Sequence, residues 1–245
     1  MNRSLFLPVL VCLLTVGYTV HSQDTTVYLI GFSGTGNINK TSLGTSYVFN
    51  NSLRFSVERP FLTFNATSYW IYGENTQRKT NNDFLNVVDV DLYKNTRKLY
   101  YWALGNYEKS FSLKIEHRIQ TGAGIGYNLL KKEKGQITLS NGILYESTDL
   151  REMDKYGRLH YETARNSFRF KYRFHIGKII IVEGVNFLQN AFTDGEDYIL
   201  RTNNQVNFKL TSWLGLNTSF TYNKFNLTKN ENLLFTYGLV MEKKF

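Results

Sequence analysis

Residues 113–129 read LKIEHRIQTGAGIGYNL. Odd positions carry Leu113, Ile115, His117, Ile119, Thr121, Ala123, Ile125, Tyr127 and Leu129, a nearly apolar row. Even positions carry Lys114, Glu116, Arg118, Gln120, Gly122, Gly124, Gly126 and Asn128, all charged, polar or glycine. A period of two marks an extended strand, whose successive side chains point to opposite faces. The row is 17 residues long, where strands of soluble sheets have about five or six. A tilted strand crosses a bilayer in about 9–11 residues, so this one is long enough to span and to project beyond.

The same alternation recurs. Phe168, Phe170, Tyr172 and Phe174 alternate with Arg169, Lys171 and Arg173. Tyr198, Leu200, Val206, Phe208 and Leu210 oppose Arg201, Asn203, Gln205, Asn207 and Lys209. Leu214, Leu216, Phe220 and Tyr222 oppose Asn217, Ser219, Thr221 and Asn223, and Phe235, Tyr237, Leu239, Met241 and Phe245 share the last apolar face. Turn chemistry then cuts the chain into about twelve strands, at 25–36, 40–49, 53–74, 84–93, 97–108, 112–130, 135–147, 159–174, 178–190, 196–211, 213–226 and 232–245. Short connections are expected at 50–52, 94–96, 131–135, 175–177 and 212–214, and longer ones at 73–83, 148–158, 191–196 and 227–232.

A soluble sandwich would bury the apolar faces, whereas a transmembrane barrel turns them to lipid and keeps the polar faces for a lumen. Strand length, the even count and the alternation of short with long connections favour the barrel. So do aromatic clusters read as interfacial girdles (Tyr69, Trp70, Tyr72; Tyr100, Tyr101, Trp102) and the terminal Phe245. The expected fold is all-β: one antiparallel up-and-down transmembrane β-barrel. Phe245, with outward Tyr237, Leu239 and Met241, is expected to form the signal for the outer-membrane assembly machinery and the seam with the first strand.

The chain opens on a basic residue, Arg3, an apolar run at 5–16, and Val20-His21-Ser22 before Gln23, the layout of a cleaved secretory signal peptide. Residues 1–22 are expected to be removed near Ser22-Gln23, leaving 23–245 as one barrel domain in a bacterial outer membrane. Losing Arg3 takes 29 basic residues to 28, so against 20 acidic ones the mature net charge is +8. Cys12 goes with the leader, so neither a disulfide nor a zinc cluster is expected, and no cofactor. Export and alternation argue against a nucleic-acid partner despite the positive charge. Lipid, lipopolysaccharide and small anionic solutes are the partners such a surface and lumen would meet. The sequons at Asn39, Asn50, Asn65, Asn217 and Asn226 follow from Asn- and Thr-rich strands rather than from glycosylation.

Gly36-Asn37, the segment Gly122-Ala123-Gly124-Ile125-Gly126-Tyr127 and Gly142-Ile143-Leu144-Tyr145-Glu146 resemble the YdiY-type, salt-induced outer-membrane proteins of Gram-negative bacteria, over about residues 25–245. The resemblance implies an outer-membrane barrel and supplies no reaction, ligand or catalytic residue. The Ser22-Gln23 junction and an Asn-, Tyr- and Lys-rich composition suit the Bacteroidetes.

Chemistry is sparse. Gly122-x-Gly-x-Gly lacks the following helix that a phosphate loop needs, and inward glycines instead leave room for bulky neighbours in a narrow lumen. An enzyme of this class, a rim hydrolase, would draw on Asp89, Asp91 and His160. The most informative pattern is a basic column of Arg169, Lys171 and Arg173, with Arg165 above and Arg201 and Lys209 two strands away. Like charges about 7 Å apart along one face repel unless something intervenes. Either Asp89, Asp91, Glu116, Glu146 and Glu183 neutralise them in a cross-lumen lattice, or they line a wet, narrow channel that attracts small anions.

Overall fold

The computed structural model describes residues 26–42, 44–93 and 98–245. The expected signal peptide and the start at Gln23 lie outside the described residues. Within them, twelve antiparallel strands close into a barrel in sequence order: β1 (Val27–Thr41), β2 (Gly44–Glu58), β3 (Leu62–Asn75), β4 (Lys79–Tyr93), β5 (Leu99–Ser110), β6 (Ile115–Lys132), β7 (Gly135–Leu150), β8 (His160–Ile176), β9 (Ile180–Ala191), β10 (Tyr198–Lys209), β11 (Leu214–Phe225) and β12 (Asn230–Lys244). The seam is β1 with β12, from Leu29↔Lys244 to Gly36↔Tyr237. Closure leaves no sheet edge, the condition for a β-structure in lipid. The end where β1 starts and β12 finishes is called lower here; the opposite, upper end carries the two longest connections, 151–159 and 192–197.

Parity holds through most of β6. Ile119, Ile125 and Leu129 are about half exposed on the outside, while Arg118, Gln120 and Asn128 are buried inside. It fails at the upper end. A bulge between Ile115 and His117 shifts the register, so Leu113 and Ile115 turn inward and are buried, and Glu116 lies at the outer rim. Glu116 there pairs with Lys109 at 2.6 Å and Arg151 at 2.7 Å, so it is not a lumen acid.

Three connections differ from the sequence reading. Asn50, Asn51 and Ser52 are not a turn but the middle of β2, and Asn50 and Ser52 line the lumen. The chain turns at Arg59–Pro60–Phe61 instead, where proline's missing N–H leaves no ladder bond unmade. Gly36-Asn37 does not end β1; that strand continues to Thr41, and Gly36 keeps clear of the Phe49 ring. Residues 73–83 are not a long loop, because β3 and β4 meet at a three-residue turn, 76–78, after a bulge at Gly73/Glu74. Turn formers and lumen formers are the same residue types, so polarity alone misplaces these boundaries. The aromatic clusters also divide: Trp70 and Tyr101 face outward, whereas Tyr69, Tyr100 and Trp102 face the lumen.

At the upper end the loop 151–159 is fastened to 192–197. The Tyr156 hydroxyl donates to Asp194 at 2.6 Å, and Lys155 reaches Glu196 at 2.8 Å and Asp194 at 3.6 Å. The hydrogen bond from Tyr156, then the backbone N–H of Glu196 and the charge of Lys155, hold the Asp194 carboxyl below its ordinary range.

A carboxyl with a lowered pKa stabilises above its unfolded value, about 3.9, and loses that contribution as pH falls through the folded value. Amide protection in 151–159 and 192–197, measured relative to the intrinsic exchange rate at each pH, is therefore expected to hold at neutral pH and fall in acid. Tyr156→Phe removes the largest stabilising bond and should move that onset to higher pH. For the barrel wall, Ile125→Arg at mid-strand should cost about 2–4 kcal/mol in urea unfolding, and Ser52→Arg on the wet inner face much less. Equal costs would contradict the register.

Candidate functional site: the lumen

The inner faces divide the lumen into layers. Uppermost is an apolar cap of Leu113, Ile115, Leu150, Tyr161, Ile199, Phe225 and Leu227, drawn inward from β6, β7, β8, β10, β11 and the turns beside them. The turn between β5 and β6 is pinned over it. Ser112 donates through its backbone N–H at 2.9 Å and its hydroxyl at 2.7 Å to Asp83, and accepts from Asn232 of β12 at 3.1 Å. Lys114 in this turn has φ 59°, the left-handed geometry of a tight reversal.

Beneath the cap is a buried charge lattice. Glu146 accepts from Arg165 at 2.9 and 3.0 Å and from the Tyr161 hydroxyl at 2.6 Å, pairs with Arg118 at 3.7 Å, and also accepts from Gln120. Arg165 forks onto Asp197 at 2.8 and 3.0 Å. Glu108 joins Arg118 at 3.0 Å and Arg201 at 2.5 Å. Arg118, Glu146 and Arg165 are fully buried, and Arg118 lies over the Phe225 ring at 4.3 Å. Three arginines thus face three carboxylates, which is what burial of charge requires.

On the β5–β7 side, Tyr100 and Trp102 lie flat against a wall of backbone. A Cβ at Gly124 would stand 2.6 Å from the Trp102 ring, and one at Gly126 would fall inside the Tyr100 ring. Gly124 and Gly126 are therefore spacers for these two rings, and Gly122 for Leu144.

Below and beside the lattice the lumen is hollow. A cavity of about 1180 Å³ opens at the lower mouth, bounded by Trp213, Lys209, Lys244 and Phe245 and reaching Arg54, Tyr69 and Arg173. A second, of about 380 Å³, shares Asn50, Arg54, Thr67, Tyr69, Arg173, Glu183, Asn203 and Gln205 with it, and rises to Ser112 and Leu113 under the cap. The two form one path from the lower mouth to the underside of the cap.

The sequence-predicted basic residues do not act alike. Arg201 belongs to the lattice. Arg169 donates to Ser140 at 3.0 Å and Tyr100 at 3.2 Å, with Asp91 at 3.9 Å. Arg173 lies 3.4 Å from Glu183, which also accepts from Gln205 at 2.6 Å and Asn207 at 3.2 Å. Asp89 accepts from Asn65 at 2.9 Å. Lys209 is exposed at the lower mouth. Among the described residues, Lys171 makes no hydrogen bond and no ion pair, and the same is true of Arg54 on β2; both line the second cavity. Tyr69 beside Arg54 keeps a hydroxyl without a partner in the same space. Arg54 escaped the sequence reading because the supposed turn at 50–52 cut the row Asn50, Ser52, Arg54, Ser56 that alternates with Leu53, Phe55 and Val57, and Tyr69 was read as an interfacial girdle residue.

Asp89, Asp91 and His160 are not brought together. His160 sits on the upper rim, 2.8 Å from Asp149. Asp91 contacts Arg169, nine residues down β8 from His160, about 30 Å along the strand. No described cluster of His, Cys, Asp and Glu has the make-up of a metal site. No described helix is long and apolar enough to cross a membrane; the strands cross it.

Residues 33–241 match the model of a family described as proteins of unknown function, DUF481. The chain belongs to this family. It is the YdiY-type family that the glycine segments resemble. No curated protein gives a significant sequence match. Among solved structures, the NanC porin aligns with a TM-score of 0.55 at 10% identity, over 88% of this chain and 99% of that one. The translocator domain of autotransporter NalP from Neisseria meningitidis aligns at 0.51 and 11% identity, over 96% and 92%. At such identities the likeness shows the fold, an outer-membrane type of β-barrel, which this DUF481 chain shares.

Glu146 and Lys171 should respond in opposite ways to neutralisation. Glu146→Gln leaves Arg118 and Arg165 buried without their shared carboxylate and should cost about 3–5 kcal/mol in unfolding experiments. Lys171→Met removes a cation that has no partner and should be neutral or stabilising. A large loss from Lys171→Met would mean that it is a member of the lattice.

Proposed function

We propose that this protein is a non-enzymatic outer-membrane barrel whose lumen admits small anionic solutes. The single observation carrying this reading is the pair of cations, Arg54 and Lys171, that make no hydrogen bond or ion pair among the described residues and face the lumen cavity, with Asp89 and Asp91 as the nearby acids, while Arg169, Arg173 and Arg201 are paired with carboxylates. Cations held in a low-dielectric tube without a direct ion pair draw anions to that stretch of the wall.

The lower rim supports the same reading. Among the described residues it carries Arg59, Lys98, Lys131, Lys132, Lys134, Lys178, Lys209, Lys243 and Lys244 against Glu58, Glu133 and Glu242. In an outer membrane this end, with both termini and the shorter turns, faces the periplasm. Its excess positive charge would concentrate anions at the open mouth, while the apolar cap lies across the far end under the extracellular loops. Residues 1–22 would direct export and be removed near Ser22-Gln23. Insertion would use the last strand, where Tyr237, Leu239, Met241 and Phe245 are exposed on the outer surface, with lipid and lipopolysaccharide as the surrounding partners.

In planar bilayers the purified barrel should show a small conductance that prefers chloride to potassium, the preference fading as salt screens the charges. Arg54→Gln with Lys171→Gln should abolish most of the preference without unfolding the barrel. A silent bilayer, or a preference unchanged in the double variant, contradicts the reading.

A further inference from the structure

We propose that the inner cavity is a binding site for a small organic anion with an apolar body, an aryl or short acyl carboxylate. The inference rests on the reading of Arg54 and Lys171 as the anion-attracting pair, and adds what lies beside them. A strand gives one face to every second residue, so Leu85 and Val87 point the same way as Asp89 and Asp91, into the lumen. The ladder runs Arg54↔Thr67↔Val87, which places Val87 about 10 Å from Arg54 at the ordinary strand spacing. On the facing wall Lys171 pairs directly with Val185, and Phe187 comes next along β9's inner face. Leu104 completes the apolar lining.

Arg54 and Lys171 therefore have aliphatic side chains beside them on the inner wall of the cavity. Apolar groups facing a wet lumen gain nothing from water, and they gain when an apolar ligand displaces it. An inorganic anion would use the cations alone. A sugar acid would leave the aliphatic wall unmatched. A carboxylate on a ring or short chain uses both: the planar guanidinium of Arg54 suits two carboxylate oxygens, the Lys171 ammonium adds a point charge, and the Tyr69 hydroxyl is free to donate. The cavity of about 380 Å³ has room for one such molecule and its last waters.

The test uses the full barrel in detergent, with benzoate as probe and calorimetry or saturation-transfer NMR as readout. Benzamide supplies the ring without the charge, and acetate the charge without the ring. Benzoate should bind at least tenfold more tightly than either, and Arg54→Met with Lys171→Met, folded by heat-modifiability, should lose at least tenfold. Val87→Thr, close in shape but polar, should weaken benzoate several-fold and leave acetate and chloride selectivity unchanged. Benzoate binding equally to the double variant would be uptake by the micelle and would overturn the site. Acetate binding as tightly as benzoate would overturn the apolar half while leaving anion attraction intact. Benzoate binding alongside a silent bilayer would support the site and refute only conduction.

Discussion

The upper half of this barrel depends on one carboxylate. Glu146, on β7, is fully buried and holds two arginines, a tyrosine hydroxyl and a glutamine from the flanking strands β6 and β8. Through Arg165 it reaches Asp197 beside β10, and through Arg118 it reaches Glu108 on β5 and from there Arg201. A buried charge is tolerable only when matched, so these pairings fix which strands face one another across the lumen. Lower in the lumen Asp89, Asp91, Arg169, Arg173 and Glu183 form a second set of contacts, and Arg54 and Lys171 make no ion pair among the described residues.

The two apolar regions have opposite origins. The outer face of β6 is exposed because lipid is its partner, and the cap is buried because bulges and turns at the upper end redirect Leu113 and Ile115 inward. The same aliphatic side chain serves either purpose, and backbone register decides which. Glycine does similar work in the wall: Gly124, Gly126 and Gly142 let Tyr100 and Trp102 lie against bare backbone, and Gly122 makes room for Leu144.

The barrel, its strand count and the inward direction of Arg169, Lys171, Arg173 and Arg201 were legible in the sequence, because lipid outside and polar lumen inside impose a strict period of two. Charge pairing was not. Arg201 and Glu108 are 93 residues apart, and nothing local in either segment announces the contact. The turn at 50–52 was misread for a different reason: Asn and Ser mark turns in a soluble sheet, yet inside a barrel they are ordinary lumen residues. That single displacement hid Arg54, the partner that makes Lys171 meaningful. The girdle reading of Tyr100 and Trp102 failed for another reason: consecutive residues in a strand cannot all face the lipid, and here Tyr101 does so while its two neighbours turn inward.

The central claim is that a wet, positively charged constriction lies between Arg54 and Lys171. Thr67 borders both cavities and pairs with Arg54 across the ladder, and the sequence's single cysteine, Cys12, falls in the proposed leader. Thr67→Cys in the purified barrel can therefore be labelled alone with thiol reagents of either charge. The account predicts faster reaction with a sulfonate-bearing reagent than with a matched quaternary-ammonium one, the preference vanishing when Arg54 and Lys171 are both neutral. No labelling by either reagent, or equal rates with both, would contradict it.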